Sequence, residues 1–178
     1  SLALGDLSGD GSDDLLIGTS YYTLNAYNAQ GKILFAHTEE PMFQRAIVAD
    51  LDGDQRQEAI AANVNKITVI DVDRARLKPV EYRKGSQPPR PRSVRFRFDA
   101  GDSIHALELA TPVAGDNVEI IAGAESGFIY RINGSGEPKG FANTGDAVLC
   151  LAPVAIPMTI GPSQPVCAMA RSWLWIAI

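Results

Sequence analysis

The segment Asp6-Leu7-Ser8-Gly9-Asp10-Gly11-Ser12-Asp13-Asp14-Leu15 constrains this chain most, because it returns 44 residues later as Asp50-Leu51-Asp52-Gly53-Asp54-Gln55-Arg56-Gln57-Glu58-Ala59. Short oxygen-bearing side chains fill positions 1, 3, 5 and 9 of both copies. They are Asp6, Ser8, Asp10 and Asp14 in the first, and Asp50, Asp52, Asp54 and Glu58 in the second. A loop so spaced can turn alternate side chains toward one point, which suits calcium with its roughly six to eight oxygen ligands. Gly9 and Gly53 let the backbone turn where a Cβ would clash, while Gln55 stands where the first copy has Gly11. An EF-hand shares the opening but needs a Glu at position 12 between two helices. Position 12 is Ile17 in one copy and Ala61 in the other, and the flanking Leu15-Leu16-Ile17 and Ala59-Ile60-Ala61 read as strands.

The same succession of short apolar runs occurs four times. It reads Leu2–Asp6, Asp14–Gly18, Tyr22–Tyr27 and Lys32–His37 in the first unit. The second has Ala46–Asp50, Glu58–Ala62, Lys66–Asp71 and a fourth run around Val80 to Arg83. The third has Ile104–Leu109, Val118–Gly123, Phe128–Ile132 and a weak run at Gly140–Ala142, and the fourth has Ala147–Leu151, Val166–Ala170 and Trp173–Ile178. Gly, Asn and Ser turns separate the runs, and no helical stripe of ten or more residues is present. Inner runs that are nearly continuously apolar fit strands buried on both faces. A period near 44 residues suits a four-stranded propeller blade. The expected fold is therefore all-β: a single domain over 1–178 of about four antiparallel blades, at 1–40, 41–100, 101–144 and 145–178. The last blade lacks its outer strand, so the chain is expected to be part of a larger propeller.

The loop at Asp6–Leu15 with an apolar strand on each side resembles the FG-GAP/VCBS repeat of integrin α-subunit propellers, fungal lectins and bacterial surface proteins. All four units share the strand order, and the first two share the metal loop. In that family loop position 7 coordinates through its backbone carbonyl, so the resemblance adds Ser12 and Arg56 to the two ligand sets and implies Ca2+ in each. Asp116-Asn117-Val118-Glu119 and Pro162-Ser163-Gln164-Pro165, at the corresponding places of the third and fourth units, lack the required oxygens.

At 178 residues with 46% hydrophobic content and mean hydropathy −0.03, the chain can bury a real core. A net charge of −5 implies no general affinity for nucleic acid, and no apolar run spans a bilayer. Six of the 16 basic residues cluster at Arg83, Lys84, Arg90, Arg92, Arg95 and Arg97, around the Pro-rich 85–92 stretch. The cluster reads as a solvated loop with Val94, Phe96 and Phe98 alternating inward, or as a docking patch for an acidic partner. Cys150 and Cys167 would face each other across an antiparallel hairpin; buried thiols are preferred to a strained cross-strand disulfide. Trp173 and Trp175 share one strand face, and blade packing is preferred to a sugar-stacking platform.

Catalytic signatures are scarce. His37 and His105 lie in strand-like runs without a metal-ligand or nucleophile motif, and GxSxG, P-loop and dinucleotide fingerprints are absent. The expected function is a non-catalytic, calcium-stabilised platform whose loops bind a protein or glycan, outside the cell or on its surface. The alternatives are a propeller enzyme similar to polysaccharide lyases and a cytoplasmic assembly subunit. Ser1 through Gly18 and on to Tyr27 is also similar to propellers of the Bardet–Biedl ciliary coat proteins.

Overall fold

The computed structural model describes residues 1–81, 83, 89, 92–111 and 117–152. Within them the chain folds into three four-stranded antiparallel sheets, each with its strands in sequence order. The first comprises β1 (Leu2–Gly5), β2 (Asp14–Gly18), β3 (Thr23–Tyr27) and β4 (Ile33–Thr38). The second comprises β5 (Arg45–Ala49), β6 (Glu58–Ala62), β7 (Lys66–Val72) and β8 (Arg92–Asp99). The third comprises β9 (Ile104–Ala110), β10 (Glu119–Ala124), β11 (Phe128–Ile132) and β12 (Pro138–Asn143). A single 3₁₀ turn, Arg74–Arg76, is the helical element among the described residues.

Period-2 alternation explains how the sheets stack. In β6, Ala59 and Ala61 join Leu7, Leu16, Leu24, Leu34 and Phe35 of the first sheet in one buried cluster. Ile60 and Ala62, on the opposite face, join Ile104, Leu107, Ile120 and Ala122 of the third sheet in another. Every residue of β6 and of β10 is buried, because each strand is covered on both faces. β1 lies beside β5, and β5 beside β9, so the first strands of successive sheets are neighbours. Gly134 marks a close approach between sheets: a Cβ there would sit 2.5 Å from the Leu51 carbonyl oxygen.

One strand differs from expectation. The fourth strand of the second sheet is Arg92–Asp99, not a run around Val80 to Arg83. Val80 instead forms an isolated bridge to Ile33 of β4, exchanging hydrogen bonds of 2.9 and 3.1 Å. Val94, Phe96 and Phe98 supply apolar side chains for packing, whereas the earlier segment opens on Pro79, which has no N–H for a strand ladder. Val94 packs on the first core cluster, and Phe96 and Phe98 pack on the second. Ala147–Leu151 is not a strand, although Val148 is buried and its N–H donates to the Ala124 carbonyl. Cys150 is exposed, which overturns the buried-thiol reading at that position. Cys167, Val166–Ala170, Trp173, Trp175, the 162–165 turn, Asp116 and the 84–88 and 90–91 stretches lie outside the described residues.

Candidate metal centre

Each acidic loop joins the first two strands of its sheet and is shaped by its own carboxylates. Asp6 Oδ1 accepts the Gly9 and Asp10 amides at 2.5 and 3.2 Å, and Oδ2 accepts the Gly11 amide at 3.0 Å. Asp10 Oδ1 accepts the Ser12 amide at 2.8 Å, and Ser8 Oγ reaches Asp6 Oδ1 at 3.5 Å. Side-chain acceptors two to five residues upstream of the donor are the usual way Asp shapes a turn. The second loop repeats the pattern: Asp50 accepts the Gly53 and Gln55 amides, and Asp54 accepts Arg56. Gly9 and Gly53 sit at φ +80° and +78°, and Gln55 is held at +65° where Gly11 takes +84°.

The ninth loop position opens the second strand in both sheets, and there the loops part. Asp14 is fully buried; its Oδ2 accepts the Ser8 amide at 2.7 Å, while its Oδ1 has no hydrogen-bond partner. Burial pushes its carboxyl above the usual value, with Asp10 and Asp6 adding to the shift and the Ser8 amide opposing it. Such an orphaned buried oxygen is costly in an uncompensated site. A hard cation held by Asp6, Ser8, Asp10 and Asp14, with the Ser12 carbonyl, fits this donor set.

Glu58 is 3% exposed, and its Oε2 accepts the Leu51 amide at 2.9 Å. Its Oε1 lies 3.2 Å from Arg95 Nη2. The same guanidinium reaches Asp52 through Nη1 at 3.0 Å and Asp71 through Nε at 2.6 Å. Burial pushes Glu58 up to about 7, against the Leu51 amide and Arg95, with Asp52 and Asp71 contributing. Asp50, Asp52 and Glu58 bring their oxygens within 4.8 Å of one another, the one such three-carboxylate group among the described residues. Asp6, Asp10 and Asp14 do not draw together in that way. Glu58 thus has a cation on Oε1, the oxygen that does not accept the Leu51 amide.

Arg95 was legible only as part of a basic cluster; the structure turns it inward. It is the extra residue of a β-bulge in β8, where Val69 faces Phe96 and Ile70 faces Val94. Bulges re-aim a side chain in this way. Arg97 pairs with Glu39 at 2.9 Å, and Arg92 donates to the Ala36 carbonyl at 3.0 Å, so three cations of the docking-patch reading serve internal contacts. Arg74, equally unforeseen, donates to the Asp6 and Leu7 carbonyls at 2.8 and 3.3 Å and ties the 3₁₀ turn to the first loop. A cleft of about 510 Å³ opens between the second loop and the third sheet, with Asp52, Arg95, Asn117 and Asn133 on its walls.

Residues 1–34, which hold the first loop and the first three strands, match the family model of the FG-GAP repeat. This chain carries an FG-GAP repeat. No curated protein matches the sequence. Among solved structures, BBS1N in complex with ARL6DN, from a crystal soaked with lead, superposes with a TM-score of 0.60 at 15% identity. The alignment covers 86% of this chain and 42% of that one. A mercury-soaked crystal of the same complex gives 0.59 at 14% identity, with the same coverage. Sqt1 of Saccharomyces cerevisiae gives 0.56 at 17% identity, covering 91% of this chain and 41% of that one. The chain spans about two fifths of the length of these structures, and their shared architecture makes its three sheets blades of a β-propeller. Beyond the FG-GAP segment, the second blade keeps the loop and the third keeps only Glu119 at the strand opening. No helix among the described residues is long and apolar enough to cross a membrane.

Proposed function

We propose that the chain is part of a non-catalytic propeller platform for a protein partner, stiffened by calcium in the FG-GAP loop. The observation that carries the metal is the buried, unpartnered Oδ1 of Asp14 at the end of a loop rich in hard oxygen donors. Bound calcium would supply positive charge to that oxygen. The residues of this chain do the rest: Asp6 and Asp10 fold the loop through its amides, and Leu7, fully buried beside them, fixes it to the core. All of these ligands lie on one closed loop with no second carboxylate pair or histidine among them to activate a substrate, which favours a structural role. Calcium is favoured over magnesium because a loop of carboxylates and carbonyls suits a large ion with flexible geometry.

A protein partner is favoured by the likeness to BBS1N, whose structure is a complex with ARL6DN. It is favoured also by Tyr21, 84% exposed, beside Tyr22, which is held at φ +63° on the turn between β2 and β3. Tyrosine is enriched at interfaces, and a strained non-glycine residue is a mark of a constrained functional turn. The similarity to Bardet–Biedl coat propellers and this likeness point the same way, toward an intracellular assembly subunit in place of a surface protein. No observation favours a glycan ligand.

Scanning calorimetry with and without calcium tests the metal. Binding to the folded state alone stabilises by RT ln(1 + [L]/Kd), about 2.7 kcal/mol at 100 times Kd. Asp10→Ala should abolish the calcium-dependent rise in Tm; an unchanged rise would remove calcium from this loop. A photo-crosslinker at Tyr21 should trap a discrete protein adduct. Turnover of a polysaccharide in calcium, lost on replacing Asp14 while Tm stays put, would favour the lyase reading instead.

A further inference from the structure

The second strand of each of the three described blades opens on a buried or nearly buried carboxylate: Asp14, Glu58 and Glu119. What neutralises it changes from blade to blade. Glu58 meets Arg95, which also bridges Asp52 and Asp71. Glu119 is held by both nitrogens of a fork, Arg131 Nε at 2.9 Å and Nη2 at 3.2 Å. Asp14 has no such partner on its Oδ1.

The sheet register explains the difference. Each fourth strand carries a bulge at the same place, and its extra residue is Leu34 in the first blade, Arg95 in the second and Lys139 in the third. Leu34 is wholly buried and apolar, so the first blade has no cation at the position from which Arg95 reaches its loop. Arg131 comes from the third strand, at the level of Val69 and Ala26 in the other blades, both apolar. The first blade therefore has apolar side chains at both positions that supply guanidinium elsewhere.

We propose that Arg95 is the resident cation of the second loop, standing where calcium stands in the first, and that Arg131 serves the third blade in the same way. The chain then takes one calcium ion, not two. Of the three carboxylates whose oxygens lie within 4.8 Å of one another, Asp52 and Glu58 are drawn together by the guanidinium, since like charges so close require a cation between them. A planar fork with five fixed donors suits several carboxylates at once, and the charge on arginine is permanent. The part of the proposal that counts the first loop as the single metal site rests on the function proposed above; the part concerning Arg95 does not.

Calcium titration by calorimetry on the whole chain, in five forms, decides between these parts. Wild type should bind one equivalent, Asp10→Ala none, Asp54→Ala still one, and Arg95→Gln two, the second being lost in Arg95→Gln/Asp54→Ala. Arg95→Gln should also melt lower than wild type without calcium and recover with it. Two equivalents in wild type, one of them lost in Asp54→Ala, would overturn the role of Arg95. So would a folded Arg95→Gln that binds no more calcium than its parent. If Arg95→Gln does not fold, Asp54→Ala in the otherwise unaltered chain still tests the proposal: unchanged calcium binding supports it and a lost equivalent overturns it. Wild type binding none while Arg95→Gln binds one would support the guanidinium and overturn the first-loop reading, so the two failures are distinguishable.

Discussion

A buried ionisable side chain shows its environment in the pH range where it titrates, and His37 is such a group. It is buried against Phe43, and its Nε2 lies 2.9 Å from Glu39 Oε2 while its Nδ1 has no partner. Burial holds its pKa below the usual 6.5, with Arg92 and Arg97 lowering it further and Glu39 opposing. Glu39 is itself held below the usual carboxylate range: burial would raise it, but hydrogen bonds from Arg97 and His37 outweigh that. Protonated His37 is disfavoured in the fold, so its contribution to stability is complete above pH 6.5 and is lost as the pH falls through the depressed folded value. Urea unfolding at a series of pH values should show wild type losing stability below pH 6.5 relative to His37→Gln; parallel profiles would refute this. At this scale the acidic residues of both loops were legible from spacing, because turn-forming carboxylates leave a local pattern. Arg95, Arg74 and Arg131 were not, since each acts on a residue 12 to 68 positions away and leaves no local pattern.

Strands were the most legible elements. Short, nearly continuous apolar runs such as Ala59-Ile60-Ala61-Ala62 have few alternatives once turns bound them on both sides. The β8 strand was hidden because its alternating Arg and apolar residues follow a Pro-rich stretch and resemble a solvated segment. The bulges were invisible for a different reason: a bulge is a property of two paired strands, not of one run. Loop geometry is intermediate, and Gln55 shows it. Its φ of +65° puts a Cβ where glycine is at ease, at a cost of roughly 1–2 kcal/mol, partly offset because glycine loses more backbone entropy on folding. Gln55→Gly should therefore raise stability by about 0.5–1 kcal/mol. Chemical denaturation at fixed calcium measures it, and a loss of stability would show that the Gln55 side chain contributes more than its backbone strain costs.

For the whole molecule, the decisive feature is that each acidic loop sits at a seam between blades. Leu7 of the first loop is buried in a cluster that includes Ala59, Ala61 and Ile70 of the second blade. Leu51 of the second loop is buried with Ile104, Ile120 and Ile132 of the third. Arg74 adds a polar tie from the second blade to the carbonyls of Asp6 and Leu7, in the first loop itself. Packing and two hydrogen bonds thus join the first loop to the second blade. Removing the tie should cost about 1–2 kcal/mol, taking roughly 1 kcal/mol for each hydrogen bond. For a chain of this length that corresponds to a fall in Tm of about 2–4 °C per kcal/mol. Arg74→Ala should melt lower by that amount in a single transition and bind calcium more weakly than wild type. Hydrogen exchange gives the sharper test: calcium should slow exchange of the β6 amides Ala59–Ala62 in wild type and slow it less in Arg74→Ala. Equal protection in both would mean that the blades communicate through the apolar seam without help from Arg74.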